Sequence, residues 1–153
     1  NRNEIESYLR KLALDKKEEE AFILFPDGRI LHRCCESMNS VNLSGIDLEG
    51  TDILHNHPSK DGINEFDILL AYRKSANSIT AICPDYKDTV YFGNASRLEI
   101  KNTDEFCNDI ILQAVKNMNS IEYDRFRIGG QYSLCQLICK RLNSTLKREY
   151  FQK

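Results

Sequence analysis

Apolar residues recur at helical spacing in Ile5, Tyr8, Leu9, Leu12 and Ala13, which predicts an amphipathic helix over 2–17. The period then changes. Ala21-Phe22-Ile23-Leu24-Phe25 is a short apolar run of β character, stopped by Pro26-Asp27-Gly28. Asp-Gly turns the chain into a second strand, Arg29-Ile30-Leu31-His32-Arg33. Residues 36–50, with Ser, Asn and Gly, read as a loop or irregular strand. The segment 51–55 is the next strand and 56–63 a polar loop. Asn64 is placed to cap a helix over 65–76 that carries Phe66, Leu69, Leu70 and Ala76. Strands follow at 79–83 and 89–92, around Pro84-Asp85. Two helices finish the chain. The first is capped by Thr103 and carries Phe106, Ile110, Ala114 and Met118; the second follows Gly129-Gly130 and carries Leu134, Ile138, Leu142 and Leu146.

Strands and helices in this order predict an α/β fold, a single-domain sandwich with a mixed central sheet flanked by helices on both sides. At 153 residues the chain is one domain, 1–153, able to bury a proper core. No internal repeat, low-complexity segment or long linker interrupts it. The 21 basic and 23 acidic residues give a net charge of −2 with no basic stretch, which argues against nucleic acid and anionic membranes as partners. No apolar run approaches the roughly 18 residues of a membrane span, and none has the make-up of a secretory h-region. The chain starts at Asn1 rather than Met, as a piece of something longer would.

Six cysteines raise the question of disulfides or a structural metal. Cys34 and Cys35 are adjacent, and no Cys-x-x-Cys pair exists. Cys135 and Cys139 lie four apart, on what reads as the buried face of a helix with Leu142 and Leu146. Cys83 ends an apolar run and Cys107 sits in an amphipathic segment. Packing as small hydrophobes explains most of them, so free thiols and a reducing, cytoplasmic setting are expected.

The chemistry concentrates in Leu54-His55-Asn56-His57-Pro58-Ser59, with Asp67 ten residues after His57. If 51–55 is a strand, positions i and i+2 point to one side, so His55 and His57 can converge on one ion. Asp67, at a helix start, can add an oxygen. Two histidines, one carboxylate and an open fourth position describe a catalytic zinc site rather than a structural one. His32, the third histidine, is expected to stay out of it. Asn56 and Ser59 read as loop-shaping residues.

His55-Asn56-His57-Pro58 with Asp67 resembles the JAMM (MPN+ or JAB) metallopeptidase family, whose motif is an early strand Glu, His-x-His-Pro, then Ser-x-x-Asp opening a helix. The resemblance covers about residues 19–93; the helical flanks, 2–17 and 102–150, carry no family signature. It implies a deaminase-like α/β fold, a zinc ion (Zn2+) held by His55, His57 and Asp67, and hydrolysis of peptide or isopeptide bonds by a metal-activated water. Peptide or protein substrates follow, ubiquitin-like conjugates among them. The family's Glu, the general base, maps to the strand beginning near residue 20. Spacing to the Asp27-Gly28 turn favours Glu19, with Glu20 as the alternative; the two lie on opposite faces of the strand.

The departure from the family is Asn64, where the motif has its oxyanion-stabilising Ser. An Asn amide is also a donor, and side-chain amides serve in oxyanion holes. Asn64 equally suits a helix cap, with Asp67 three residues on completing a capping box. Other classes fit less well. The literal string His-Asn-His is not a nuclease signature, whose residues spread over a ββα unit. A zinc deaminase needs His-x-Glu and Pro-Cys-x-x-Cys, both absent here. The remaining alternative is a non-catalytic protein-binding module on the same fold.

Overall fold

The computed structural model describes residues 1–34, 42–58, 61–93 and 96–152. The readings made above for Cys35, for Ser59 and for 36–41 lie outside the described residues. The chain runs α1 (Arg2–Leu14), β1 (Glu20–Leu24), β2 (Ile30–Cys34), β3 (Asp52–Asn56), α2 (Glu65–Arg73), β4 (Ser78–Ile82), β5 (Tyr86–Phe92), α3 (Thr103–Lys116), α4 (Ser120–Arg141) and β6 (Ser144–Tyr150). Six strands form one mixed sheet in the order β2-β1-β3-β4-β5-β6. Only β3 and β4 are parallel, because α2 carries the chain between them; every other neighbouring pair is antiparallel.

Strand alternation divides the core in two. Ile23, Ile53, Ile79 and Val90 point to one face, where Ile68, Leu69, Tyr72, Ile110 and Ile138 of α2, α3 and α4 cover them. Leu54 and Ile82 point to the other, where Ile5 and Leu9 of α1 lie over them beside Phe22 and Leu24. The α/β sandwich with helices on both sides of a mixed sheet is therefore observed. All five residues of β4 are buried, as expected of a central strand covered on both faces. No helix among the described residues is long and apolar enough to cross a membrane.

Three readings of the C-terminal part are corrected. Asn102, not Thr103, caps α3: its side chain accepts from the Glu105 N–H at 3.0 Å, and Thr103 is the first helical residue. The last helix does not begin after Gly129-Gly130. It begins at Ser120, capped by Asn119 and Glu122, and bends at Gly130, whose φ of 54° and ψ of −127° only glycine adopts without strain. Nor does it continue to 150. Asn143 takes a left-handed φ of 53° just past the helix end, and the chain returns as β6 beside β5. Leu146 is thus a strand residue paired with Val90, and its spacing of four from Leu142 only imitates a helix. Lys147 and Glu149 give this edge strand the charged outer face that discourages further pairing.

Cys83, Cys107, Cys135 and Cys139 are buried, Cys34 is exposed, and all five are unpaired. Burial pushes the Cys83 and Cys139 thiols up to about 12, which keeps them protonated and inert.

Candidate metal centre

β3 delivers the histidines. His55 lies in the strand, opposite Ala21 of β1, and faces the α2 side. His57 follows the strand end, yet its N–H still bonds the Ile82 carbonyl at 2.7 Å, which holds the chain extended for one more step. The i, i+2 geometry expected of His55 and His57 is therefore present. Their rings meet edge-on with centroids 5.0 Å apart. Asp67 comes from the first turn of α2 and sends Oδ2 between them, 3.1 Å from His57 Nε2 and 3.5 Å from His55 Nε2.

The three side chains are electrostatically coupled. Burial would push the Asp67 carboxyl up, but the His55 and His57 imidazoles outweigh it and hold it far below the usual carboxylate range. Burial works against a charged His55 as well, and Asp67 reverses that, raising its pKa. Asp67 thus favours positive charge at His55. His55 Nε2, which faces Asp67, is buried with no hydrogen-bond partner among the described residues, and such an orphaned atom carries a desolvation cost. The other nitrogen of His55 faces the Thr80 backbone, the outer contact that commonly fixes the tautomer of a ligating imidazole. One atom each of His55, His57 and Asp67, all within 4.8 Å of one another, could hold a metal ion. The donor set, two imidazoles and a carboxylate with a side open to the cleft, fits zinc.

The structure separates the two candidate acids. Glu19 precedes β1 on the same side as Ala21 and Ile23 and lines the cleft with His55 and Asp67. Burial raises its pKa first, against the downward pull of His55 and His57. Glu20 points to the opposite face, where it meets Tyr8 and His32. His32 likewise sits on that far face and gives no atom to the cluster.

Asn56 is corrected from loop-shaping residue to strand residue. It is fully buried on the α1 side, where its Oδ1 accepts from Glu20 N–H at 2.6 Å and its Nδ2 donates to the Glu18 carbonyl at 3.1 Å. It grips the peptide groups on both sides of Glu19. Replacing Asn56 with Ala leaves these groups unpaired, so denaturant unfolding should show a loss of about 1–3 kcal/mol. An unchanged unfolding midpoint would refute the clamp.

Asn64 does cap α2. Its Oδ1 accepts from Asp67 N–H at 2.9 Å, and Asp67 Oδ2 accepts from Asn64 N–H at 3.2 Å, completing the capping box. The cap orients the amide, and among the described residues nothing accepts from its Nδ2, while the side chain lines the cleft. The cleft has a volume of about 260 Å³, with Leu43, Phe66 and Leu70 as its apolar walls.

Sequence reasoning missed the frame behind the ligands. Asp88, fully buried on β5, accepts two hydrogen bonds from Arg148 of β6, at 2.7 and 2.9 Å, and one from Ile63 N–H at 3.1 Å. The Arg148 guanidinium lies between the Tyr86 and Tyr132 rings, 3.9 and 4.1 Å from their centroids. Gln131, directly after the Gly130 bend, donates to the Ile63 carbonyl at 2.8 Å. Gly62 has a φ of 77°, and a side chain there would strike the Asp88 carboxylate. Together these contacts fix Gly62 and Ile63, just before the Asn64 cap. An acid alternating with Val90 and Phe92 was the available signal.

No family model matches the chain, and neither curated proteins nor solved structures give a match.

Proposed function

We propose that the chain is a zinc-dependent hydrolase of JAMM (MPN+/JAB) type, built on a deaminase-like α/β fold and cleaving a peptide or isopeptide bond. The observation that carries this reading is the convergence of His55, His57 and Asp67 with Glu19 beside them in one cleft. When bound, zinc would supply an acidified water and positive charge for the carbonyl oxygen. The chain's own groups account for the rest. Glu19, whose pKa is raised, takes the water's proton and returns it to the leaving amine. Asn64 Nδ2 donates to the carbonyl oxygen as charge develops there. Phe66 and Leu70, exposed at the rim, with Leu43, hold an extended substrate by its apolar side chains. Ubiquitin-like tails and linear peptides both suit such a cleft. The unpaired cysteines support a reducing, cytoplasmic setting.

The test is a cleavage screen on tagged peptides and ubiquitin-like conjugates with the zinc-loaded chain, repeated with His57→Ala. The parent should cleave at least one class, lose that activity to a chelator and regain it with zinc. His57→Ala should be inactive, since two remaining ligands hold zinc poorly. Cleavage by His57→Ala at the parent rate would overturn the proposal.

A further inference from the structure

A second group of metal-ligating side chains lies on the far face of the sheet, away from the cleft. The β1–β2 register sets Glu20 opposite Cys34 and Phe22 opposite His32, so period-two alternation puts all four side chains on one face. His32-Arg33-Cys34 on a strand thus repeats the i, i+2 geometry of His55 and His57. His32 Nε2 lies 2.6 Å from Glu20 Oε1 and 3.9 Å from Cys34 Sγ, and one atom of each residue falls within 4.8 Å of the other two.

We propose that Glu20, His32 and Cys34 form a second metal site, taking a thiolate-binding divalent cation, zinc foremost. Two readings compete with it. A Cys-His-Glu relay would need the thiol at one imidazole nitrogen and the carboxylate at the other. Here both approach the same atom, Nε2, which has room for one proton but not two partners. A chance meeting of surface side chains is opposed by the way the donors are held. The His32 ring stacks on Phe22 at 4.4 Å and 8°, with the Tyr8 ring edge-on to both. The Tyr8 hydroxyl donates to Glu20 Oε1 at 2.9 Å, fixing the carboxylate from α1.

Sulfur, nitrogen and oxygen together suit zinc and disfavour magnesium and calcium, which take oxygen ligands. At ordinary zinc bond lengths, tetrahedral donors lie roughly 3.3–3.6 Å apart. The Glu20–His32 pair would open and the Cys34–His32 pair close by small side-chain rotations, which exposed His32 and Cys34 permit. The fourth position faces solvent. The ion would tie edge strand β2 to β1 on the face of the sheet opposite the cleft.

Sulfur makes the two sites separable, because the cleft cluster contains none. The reduced full chain is titrated with Co2+ while sulfur-to-cobalt charge-transfer absorption is followed in the ultraviolet, with circular dichroism checking each variant's fold. The band should appear in the parent, survive in His57→Ala and in Cys35→Ser, and vanish in Cys34→Ser. His32→Ala and Glu20→Gln should each weaken cobalt binding at this band by tenfold or more. No band in the parent, a band persisting in Cys34→Ser, or unchanged affinity in either of the other two variants would overturn the second site. None of these readouts depends on hydrolysis, so the proposed function stands or falls separately.

Discussion

Zinc-loaded Glu19→Gln should keep its metal at the cleft site while its turnover falls by about 10²–10⁴-fold. The substitution preserves shape and most hydrogen bonding but removes the one carboxyl that, among the described residues, lines the cleft beside the candidate ligand Asp67. Burial raises the Glu19 carboxyl above its ordinary value, a direction that suits a group which first takes and then gives a proton. Glu18→Gln, at an exposed neighbouring position, should leave turnover within a few-fold of the parent. Rates measured on whichever substrate the screen finds, with zinc content verified in each sample, decide the point. If Glu19→Gln turned over at the parent rate, the proton would have another acceptor and the mechanism would fail.

Asp88→Ala should be the most destabilising single change outside the apolar core. Removing one partner of a buried ion pair costs about 3–5 kcal/mol, because the other charge stays behind unpaired. The Arg148 side chain keeps 18% of its surface exposed, so its charge is partly solvated and the lower end of that range applies. Ile63 N–H would also lose its acceptor. The effect should reach the metal cluster, since the freed segment leads directly into Asn64 and Asp67. Zinc affinity should fall by about tenfold, the low end of the effect of losing a direct outer contact, because Asp88 reaches the candidate ligands only through Ile63 and Asn64. Denaturant unfolding and a zinc titration measure the two effects. A stable variant with parental affinity would show that the Asp88–Arg148 pair does not support the site.

The central strands and the candidate metal ligands were legible because each rests on local sequence. Short apolar runs bounded by turn residues marked β1, β2 and β3, and strand alternation then put His55 and His57 on one side. The N-cap at Asn64 and the helix bearing Asp67 were equally local. The choice between Glu19 and Glu20 was not. Alternation shows only that they face opposite ways, and the pairing of Ala21 with His55 is needed to say which one meets the cluster. That pairing is tertiary. β6 was hidden for a related reason: its apolar content is low, as befits an edge strand, and Leu146 falls four residues after Leu142. Gly130 read as a break because a glycine pair usually ends a helix, whereas here packing continues on both sides of the bend. Asp88 and Arg148 are 60 residues apart in the chain, and no local pattern joins them.

The most direct test of the central claim is anomalous diffraction at the zinc edge from crystals of the reduced chain supplied with zinc. A peak is expected about 2.0–2.2 Å from His55 Nε2, His57 Nε2 and Asp67 Oδ2, facing Glu19 and Asn64 across the cleft. A map with no peak at that position, the three side chains bonded only to one another, would contradict it.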